Sequence, residues 1–389
     1  MRRLLLASGV LIVLLLIAAG VLMQETESPV STDGNDVMAV TASSARSSAR
    51  NTTGLPLSLP PGFSIDVFAR NLPGVRVIIR DRSGNFWVSQ PSQGTVTMLE
   101  VQDGTVRNQN AVFRNLRRPH GLAIDPTGSM LYIAEEHRIA RVALNSDDTL
   151  HTVYALPPAG RHFTRTIGFG PDGRLYVSVG STCDVCVEGD ERNGTILSME
   201  PDGTDARIVA RGLRNAVFFA WDGRGRLWAT EMGRDNLGDD LPPDEVNLIE
   251  EGKHYGWPWC YGNRVRDTTF RPGDTYDCSQ TQPPVIELPA HGAPLGLAFA
   301  PPSWLAGLAS HLLVALHGSW NRSVPIGYDV VHIGPTAAGK PGVPQDFVTG
   351  WLASGGVSGR PVDLLVTSDG ALLITDDKAG AVYKMKYGG

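Results

Sequence analysis

The stretch TIGFGPDGRLYVSVG, residues 166–180, consists of two apolar runs joined by a tight turn that ends in glycine. The same arrangement recurs along the chain, and its other copies are VIIRDRSGNFWVSQ (77–90), GLAIDPTGSMLYIAEE (121–136), VFFAWDGRGRLWATE (217–231), the degenerate GLAFAPPSWLAGLASHLLVALHG (296–318) and DLLVTSDGALLITDD (363–377). The turn glycines at positions 84, 128, 173 and 225 are separated by 44, 45 and 52 residues, a period typical of a four-stranded propeller blade. Six copies therefore predict an all-β, six-bladed β-propeller.

The composition supports this fold class and argues against a nucleic-acid ligand. A chain of 389 residues with 44 glycines and 27 prolines favours tight turns over long helices. The formal net charge of -6 and the lack of a basic run beyond the N-terminus argue against a nucleic-acid partner, which requires a basic face. Residues 234–290 lie between the fourth and fifth copies and are longer than a blade needs, so they predict elaborated loops.

The N-terminus is predicted to lie outside the propeller. Two arginines precede an apolar run that is long enough to cross a bilayer as a helix. Residues 1–23 are therefore predicted to be a membrane-targeting helix, either an uncleaved signal anchor or a cleaved signal peptide. Both cases place the domain in the periplasm or another extracytoplasmic space, and the uncleaved helix would anchor it to the inner membrane. Residues 24–55, rich in Ser, Thr, Ala and Asp, predict a disordered linker, which leaves 56–389 for the propeller.

Four cysteines, Cys183, Cys186, Cys260 and Cys278, agree with an exported protein. They allow three pairings, and the local pairs, 183 with 186 and 260 with 278, require the least rearrangement of the chain. A zinc site is the alternative, although the second pair lacks close ligand spacing. Attachment of a c-type haem is excluded because Val187 follows the CDVC motif, where a histidine is needed.

A cation or a histidine precedes the inner strand of every predicted blade. In a propeller this strand runs along the central channel, so the segment that leads into it delivers side chains to the axis. The residues at these positions are Arg76, His120 after Arg118, Arg165 with His162, Arg214 with Asn215, His291 and Arg360. Since ordinary surface loops would carry varied polar residues, the pattern indicates an axial pocket with an anionic ligand.

Five motifs of the predicted blades and loops carry a family resemblance. They are RTIGFGPDGRLYVSVGS, GLRNAVFFAWD, DEVNLIEEGKHYGWPWCYG, HGSWNR and GRPVDLLVTSDG, and the similarity extends over residues 56–387. In this order they resemble the sorbosone and soluble glucose dehydrogenase family, and the sorbosone branch most closely. The resemblance implies a propeller dehydrogenase that binds pyrroloquinoline quinone (PQQ) and Ca²⁺ and oxidises a sugar or a sugar-derived aldehyde. PQQ is a planar tricarboxylate, so it needs cations for its carboxylates and a divalent ion to polarise its quinone oxygen.

The resemblance assigns cofactor-binding roles to six residues. They are Arg214, Asn215, Arg360, Arg165, His317 and Arg322. Arg214 and Asn215 correspond to an Arg-Asn pair that contacts the cofactor in the family, and Arg360 corresponds to a second cofactor arginine. An inter-blade salt bridge is the alternative role for Arg360. Arg165 is expected beside the substrate or the cofactor, and the HGSWNR motif with His317 and Arg322 falls where the family places a further cofactor cation.

The resemblance also places the metal and marks two departures from the family. The family's Ca²⁺ is bound by main-chain carbonyls after the fourth blade, which correspond to Gly233 and Arg234. Val217 stands where the glucose enzymes have a glutamine after the Arg-Asn pair, and Val362 aligns with another cofactor arginine, while Asp363 remains. These departures imply a cofactor site with fewer polar contacts.

His162 is predicted to be the general base. Hydride leaves a sugar carbon only as the hydroxyl proton is removed, so a neutral imidazole at the mouth of the channel is the expected acceptor. His162 lies eight residues before Gly170, the same offset as the catalytic histidine in the similar glucose enzymes. An ordinary loop histidine is the alternative. Those enzymes carry a carboxylate beside this histidine, where this chain has Ser181, and Asp184 is a candidate substitute.

Two other functions stay open at the level of the sequence. A propeller lactonase or other hydrolase would hold one metal on the axis through Glu, Asn and Asp side chains, whereas the axial positions here carry Arg and His. A non-catalytic binding module would keep the fold and need no base. For the dehydrogenase, an aldose, an aldehyde such as sorbosone or another polyol fits the predicted residues, and the electron acceptor is a quinone or a cytochrome.

Overall fold

The computed structural model describes residues 48–144, 149–271, 276–304, 307–335 and 339–388. The predicted membrane-targeting helix, residues 1–23, lies outside the described residues, as does most of the predicted linker. No helix within the described ranges is long and apolar enough to span a bilayer. The extracytoplasmic location therefore stays a prediction.

Ordered structure begins ahead of the predicted boundary at residue 56. Strand β1 (Arg50–Asn51) pairs in parallel with β2 (Phe63–Ala69). Asn51 fixes the turn that follows β1, because its Nδ2 donates to the carbonyl of Leu55 at 2.8 Å and to that of Leu57 at 3.0 Å. The last residues assigned to the linker therefore belong to the folded domain.

Six blades, each built on four antiparallel strands, are present within the described residues and confirm the predicted all-β propeller. Blades 1 to 3 contain β3 (Ile78–Arg80), β4 (Phe86–Gln90), β5 (Thr95–Gln102) and β6 (Thr105–Phe113), then β7 (Gly121–Ile124), β8 (Met130–Glu135), β9 (Arg138–Ala143) and β10 (His151–Ala155), then β11 (Ile167–Phe169), β12 (Leu175–Val179), β13 (Thr195–Met199) and β14 (Arg207–Arg211). Blade 4 contains β15 (Phe219–Trp221), β16 (Leu227–Glu231) and β17 (Asp244–Ile249) and, after the short strands β18 (Lys253–His254), β19 (Cys260–Tyr261) and β20 (Val265–Arg266), also β21 (Ile286–Leu288). Blade 5 contains β22 (Pro294–Phe299), β23 (Leu312–Leu316), β24 (Asp329–Ile333) and β25 (Gln345–Val348), and the hairpin β26 (Leu352–Ala353) and β27 (Gly356–Val357) precedes β28 (Pro361–Val366), β29 (Leu372–Asp376) and β30 (Ala381–Tyr387) of blade 6.

The ring closes through a strand from the start of the domain. β2 pairs with β30 and so supplies the fourth strand of blade 6. Phe63 of β2 packs edge-on against Trp304 and Phe347 of blade 5, at ring-centroid distances of 5.0 and 5.4 Å. This closure joins the first and last parts of the propeller, which leaves no blade without two neighbours.

The repeated turn has the conformation that its glycine predicts. Gly84, Gly128, Gly173 and Gly225 adopt φ values of 91°, 76°, 79° and 76°, in the left-handed region that glycine enters without a Cβ penalty. The amide of each glycine donates to the carbonyl three residues earlier, as from Gly173 to Gly170 at 2.9 Å. The turn therefore reverses the chain between the first and second strands of each of these blades.

Apolar layers between neighbouring blades form the core. β12 presents Leu175, Val177 and Val179 to a layer that also contains Ala123 and Tyr132 of blade 2. Comparable layers lie between the other blades. Burial of both faces of each blade stabilises the ring by the hydrophobic effect and holds the strand ends in fixed positions around the axis.

The elaborated loops, which lie within blade 4 between β17 and β21 rather than between blades 4 and 5, contain one disulfide, and the loop after β12 contains another. Cys260 pairs with Cys278, and Cys183 pairs with Cys186, which confirms both predicted local pairings. The four sulfurs are therefore not available as zinc ligands. The first loop also carries the β19–β20 hairpin and a 3-10 turn at Cys278–Gln280.

Candidate active site

The predicted axial residues meet at one end of the propeller. Within a blade the first and second strands are antiparallel, so residues that precede the first strand lie beside residues that follow the second. His162, before β11, therefore contacts Ser181, which follows β12. Arg214, before β15, contacts Met232, which follows β16, in the same way.

A cavity of about 230 Å³ opens at this end between blades 3, 4 and 5. Four of the predicted site residues line it, namely His162, Arg214, Asn215 and Gly233. Its other lining residues are Arg161, Met232, Asp235, Asp244, His291, Ala293, Trp320 and Asn321. The cavity thus combines cations, carboxylates and amides with one exposed aromatic side chain.

Arg214 is buried and paired with two carboxylates. Its Nη2 lies 2.7 Å from Asp184 Oδ1 and 3.0 Å from Asp235 Oδ2, and its Nε donates to the carbonyl of Asp184 at 3.0 Å. Arg161 forms a further ion pair with Asp235 at 2.6 Å. We refer to Arg161, His162, Asp184, Arg214 and Asp235 as the cavity cluster. Most of the Arg214 donors are therefore occupied by the protein itself, and the guanidinium braces the wall of the cavity.

His162 is held as a neutral base by a serine rather than a carboxylate. Its Nδ1 lies 2.9 Å from Ser181 Oγ, and the Ser181 hydroxyl donates to the carbonyl of Cys183 at 2.8 Å. A hydroxyl has one proton, so His162 must donate from Nδ1, and its Nε2 carries the lone pair. Burial, with the charges of Arg214 and Arg161, lowers the pKa of His162 to about 3. The imidazole is therefore neutral at neutral pH, and its Nε2 makes no hydrogen bond among the described residues.

Ser181, and not Asp184, is the residue that contacts the imidazole of His162. Asp184, the candidate substitute for the family's carboxylate, pairs with Arg214 and makes no hydrogen bond to His162 among the described residues. Ser181 takes the orienting position because it follows β12 directly opposite the segment that carries His162. Gly180, which has no Cβ, leaves space for His162 and Asn215. A Cβ at this position would lie 2.6 Å from His162 Cβ and 2.9 Å from Asn215 Oδ1.

Buried carboxylates fix the main chain around the cavity. Glu231 Oε1 accepts from the amides of Arg214 at 2.6 Å and Asn215 at 3.0 Å, while its Oε2 is buried without a partner among the described residues. Asp244 accepts from the amides of Gly233 at 2.9 Å and Ala293 at 2.8 Å. Burial raises the pKa of Glu231 to about 8 and that of Asp244 to about 7. These two carboxyls therefore hold the Arg-Asn pair and the Gly233 loop in place.

The two residues of the predicted metal site differ in position. Gly233 lines the cavity. The guanidinium of Arg234 points away to Asp267 at 2.6 Å and Thr269 at 2.9 Å, and lines a smaller neighbouring cavity instead. The predicted metal role concerns main-chain carbonyls, so it stays a prediction for both residues.

Arg165 is a buried cation with unused donors. It is 0% exposed, its Nη1 donates to the carbonyls of His162 and Thr164 at 2.9 Å, and its Nε and Nη2 have no partner among the described residues. His120, which is also fully buried, has no partner at Nε2. Unsatisfied buried donors cost free energy, so the unused nitrogens of Arg165 are candidates for hydrogen bonds to a ligand, but neither Arg165 nor His120 lines the cavity.

His317 and Arg360 lie in a second group, which we call the Asp377 cluster and which also contains Arg76. Asp377 pairs with Arg76 at 2.9 Å and lies 3.0 Å from His317 Nε2. Arg360 Nη1 approaches His317 Nδ1 at 3.3 Å, and its guanidinium covers the ring of Tyr328 at 4.9 Å. Arg360 forms no ion pair among the described residues, so the part of the chain that the structure describes gives no support to the alternative of an inter-blade salt bridge. Neither His317 nor Arg360 lines the cavity.

Arg322 holds a loop rather than the cavity. Its Nη1 donates to the carbonyls of Asp239 and Ala290, and its Nη2 pairs with Asp240 at 3.0 Å. These contacts tie the segment that follows β23 to the loop after β16. A cofactor role for Arg322 stays a prediction, and the contacts of its guanidinium show a structural one.

Sequence reasoning missed several residues that complete the cavity. Asp235 accepts from Arg161, Arg214 and Asn321, and Asn321 also lies 3.2 Å from His291 Nδ1. The signal for Arg161 and Asp235 was their position beside predicted residues, since they adjoin His162 and Arg234 in the chain. Asn321 lies in the HGSWNR motif, but its partner is 86 positions away, which the sequence alone does not reveal.

Comparisons with known proteins identify the family and the fold to which the chain is similar. The model of the TrAA12-like family matches residues 57–388. The chain is 30% identical to an uncharacterized protein of Borreliella burgdorferi, over 85% of this chain and 91% of that protein. It is 26% identical to a pyrroloquinoline quinone-dependent pyranose dehydrogenase of Coprinopsis cinerea, over 85% of this chain. The match covers 54% of that enzyme, so the chain spans about half of its length.

Solved structures show the same fold. The holo form of the PQQ domain of the Coprinopsis cinerea pyranose dehydrogenase has a TM-score of 0.74 at 23% identity and covers 87% of this chain and 98% of its own. A calcium structure of a Trichoderma reesei enzyme of carbohydrate-active family AA12 has a TM-score of 0.75 at 21% identity, with coverages of 87% and 100%. At these identities the likeness shows the propeller fold.

Proposed function

This chain belongs to the TrAA12-like family, and we propose that it is a PQQ-dependent oxidoreductase that oxidises a sugar or a sugar-derived aldehyde at the cavity cluster. The family match and the similar pyranose dehydrogenase confirm the resemblance predicted from the motifs. The observation that carries the proposal is the state of His162, a neutral imidazole at the cavity with Nδ1 bound to Ser181 and no partner for Nε2 in the described part of the chain.

The unsatisfied polar groups of the chain fit PQQ. Arg165 has two nitrogens, Nε and Nη2, without a hydrogen-bond partner among the described residues, and burial lowers its pKa to about 10, which leaves it charged at neutral pH. Charge-assisted hydrogen bonds from such a group suit the carboxylates of PQQ. Arg214 and Asn215 would form the wall of the site, as the family resemblance implies, and the Asp377 cluster would supply the cation of Arg360.

The oxygen atoms of the same region fit Ca²⁺. Glu231 Oε2 and Asn215 Oδ1 are buried and have no hydrogen-bond partner among the described residues. Asn215 lines the cavity together with Gly233, and Glu231, whose Oε1 accepts from the Asn215 amide, lines the smaller neighbouring cavity that Gly233 also borders. Carboxylate, amide and main-chain oxygens are the ligands that Ca²⁺ prefers. The predicted carbonyls of Gly233 and Arg234 would add to this donor set.

The residues of the chain account for the proton in the oxidation. When bound, PQQ supplies the two-electron acceptor for the hydride that leaves the sugar carbon, and Ca²⁺ increases its electrophilicity. His162 Nε2 accepts the proton of the hydroxyl on that carbon. Ser181 keeps Nδ1 protonated, so Nε2 stays the basic atom, and the lowered pKa of His162 keeps it unprotonated before the reaction.

Metal-dependent hydrolysis has less support in the structure. A lactonase needs several side-chain ligands that converge on one metal. Within the described residues, the group of three metal-ligating side chains that lie close together is Cys183, Cys186 and Glu188, and both sulfurs are in a disulfide. The cavity presents Arg and His side chains at the blade entrances instead.

Dye reduction by the reconstituted protein tests the proposal. The purified protein is incubated with PQQ and CaCl₂, and the reduction of an artificial electron acceptor is followed with aldoses, glyceraldehyde and sorbosone. We expect turnover that requires the cofactor, the metal and a sugar or aldehyde. Absence of turnover with every substrate, together with hydrolysis of a lactone by the metal-loaded protein, would contradict the proposal.

A further inference from the structure

The loop after β12 contains a small disulfide ring whose main chain contacts the partner of the base. β12 ends at Val179 and β13 begins at Thr195, so this loop lies outside the strands of blade 3. Cys183 and Cys186 close the ring, and both are half-buried. The Ser181 hydroxyl donates to the carbonyl of Cys183 at 2.8 Å. The ring therefore supplies the acceptor that sets the direction of the Ser181 hydroxyl.

The direction of this hydroxyl decides which nitrogen of His162 is basic. Because the Ser181 proton is used in the bond to the Cys183 carbonyl, the Ser181 oxygen accepts from Nδ1 of His162, 2.9 Å away. If the Cys183 carbonyl moved away, the Ser181 proton would be free to be donated to Nδ1 instead. The imidazole would then carry its own proton on Nε2, where it cannot accept one from a substrate.

The same ring contacts Arg214 through Asp184, which lies between the two cysteines. The carbonyl of Asp184 accepts from Arg214 Nε at 3.0 Å and from Trp257 Nε1 at 3.1 Å. Its Oδ1 accepts from Arg214 Nη2 at 2.7 Å and from the amide of Asp235 at 2.9 Å. One residue of the ring thus orients the base through a serine, and the next pairs with the buried arginine of the cavity cluster.

We propose that the Cys183–Cys186 disulfide is a positioning element of the active site, which keeps the base in its active tautomer and makes turnover sensitive to reduction by thiols. This inference rests on the proposed function, because it concerns the base of the same cavity. The stabilisation that a disulfide gives increases with the length of chain that it closes. The sequence separation is 3 for this disulfide and 18 for Cys260–Cys278. Opening the shorter ring is therefore expected to cost less global stability, yet it releases the Cys183 carbonyl.

The tautomer of His162 tests this role in the cofactor-free full chain. Long-range ¹H–¹⁵N correlation NMR of protein labelled with ¹⁵N-histidine distinguishes a protonated Nδ1 from a protonated Nε2, and the signal that is absent in His162→Gln identifies the residue. We expect protonation on Nδ1 in the wild type and a population protonated on Nε2 in Cys183→Ser/Cys186→Ser. Protonation on Nε2 in the wild type, or the same tautomer in both proteins, would overturn the inference.

The other disulfide provides the matched control, Cys260→Ser/Cys278→Ser. After reconstitution with PQQ and Ca²⁺, we expect Cys183→Ser/Cys186→Ser to lower kcat about tenfold or more, and the control to lower it far less. Urea denaturation should show the reverse order, with the larger loss of stability in the control. Equal losses of kcat in the two variants would overturn the inference. A change of tautomer in a protein that shows no turnover in any form would support the positioning role and contradict the proposed oxidoreductase.

Reduction of the folded wild type gives the same comparison if the variant fails to fold. Dithiothreitol breaks the S–S bond, each cysteine sulfur gains a proton, and dithiothreitol becomes its cyclic disulfide. The reagent is removed before the cofactor is added, and mass spectrometry of alkylated peptides shows which disulfide has opened. We expect opening of Cys183–Cys186 to change the tautomer of His162 and lower kcat, and reoxidation to restore both. An unchanged tautomer and kcat in the reduced protein would overturn the inference.

Discussion

The cavity cluster and the Asp377 cluster are built from the same residue types but differ in their surroundings. Each contains arginines paired with aspartate and a histidine at the same end of the propeller, but only His317 contacts the aspartate, whereas His162 contacts Ser181. In the cavity cluster His162 has a free Nε2 beside a cavity of about 230 Å³, whereas in the Asp377 cluster both nitrogens of His317 are engaged. A histidine that keeps a free nitrogen can act as a base, and a histidine with two partners cannot do so without losing one of them.

The carboxyl groups in and beside the two clusters also differ, in how far neighbouring groups compensate their burial. Burial raises the pKa of Glu231, which supports the cavity cluster, to about 8. Burial alone would also raise the pKa of Asp377, but the hydrogen bond and charge of His317 and the charge of Arg76 hold it well below the usual range. The buried acid that supports the cavity cluster, Glu231, is therefore incompletely compensated, whereas Asp377 is compensated within its own cluster. A site prepared for a ligand is expected to show such incomplete compensation.

The largest expected difference between the clusters concerns stability. Arg214→Met leaves Asp184 and Asp235 without their buried cation, so we expect the free energy of unfolding to fall by about 3–5 kcal/mol. Arg360→Met removes a cation that lies on Tyr328 and forms no ion pair among the described residues, so a loss of about 1 kcal/mol is expected. Urea denaturation of the cofactor-free variants measures both values. Equal losses would show that the two arginines have the same structural role.

The second difference concerns catalysis. His162→Gln removes the base while it can keep a hydrogen bond to Ser181, so we expect kcat with a dye acceptor to fall by about 10²-fold or more. Cofactor binding, followed by the absorbance of PQQ, should be unchanged, because the proposed contacts of the cofactor lie elsewhere. His317→Gln, the corresponding change in the Asp377 cluster, should reduce kcat less than His162→Gln does. A normal turnover of His162→Gln would require another base, and His120 and His291 occupy equivalent blade entrances.

A third difference between the clusters concerns pH dependence. The pKa of Glu231 in the folded state, about 8, exceeds that of an unfolded glutamate, so the folded state retains a proton that the unfolded state has lost. Its contribution to the free energy of unfolding therefore falls as pH rises from about 4.5 to 8, by up to about 1.4 kcal/mol per pH unit. The pH dependence that Asp377 contributes has the opposite sign. Because its pKa is lowered in the folded state, its contribution to the free energy of unfolding is complete at neutral pH and is lost on acidification.

Two isosteric variants distinguish the opposite pH dependences that Glu231 and Asp377 give to the stability. At pH 8 we expect Glu231→Gln to be more stable than the wild type and Asp377→Asn to be less stable. At pH 5 the advantage of Glu231→Gln should have shrunk, since Glu231 is then protonated in the folded protein. Denaturant unfolding of the cofactor-free proteins at the two pH values provides the comparison, and a shift of the same sign for both variants at pH 8 would contradict it.

Local patterns in the sequence were sufficient for the fold and for part of the site. The turn glycines set the blade period, and both disulfides are local, so each could be predicted from a short segment. His162, Arg214, Asn215 and Gly233 also reach the cavity, because strand entrances in a propeller point to the axis. The partners of these residues were not predictable in the same way.

Those partners come from distant parts of the chain. Arg76 pairs with Asp377 at a sequence separation of 301, and Arg161 reaches Asp235 at a separation of 74. The sequence around a blade-entrance arginine therefore does not show whether a distant carboxylate pairs with it or whether its charge can bind a ligand. The roles of Ser181 and Asp184 were open for a similar reason, since only the return of β12 beside the His162 segment decides which of them meets the imidazole.

Titration of the cofactor-free protein with PQQ in the presence of Ca²⁺ tests the central claim, that the axial end of this propeller is a quinone cofactor site. Absorbance of the cofactor or calorimetry gives the stoichiometry and the affinity. The account predicts one saturable site per chain at micromolar cofactor, weakened about tenfold or more in Arg165→Met, whose unused buried donors are lost, and by removal of Ca²⁺. No binding at these concentrations, or binding that is the same in the wild type and in Arg165→Met with and without Ca²⁺, would contradict it.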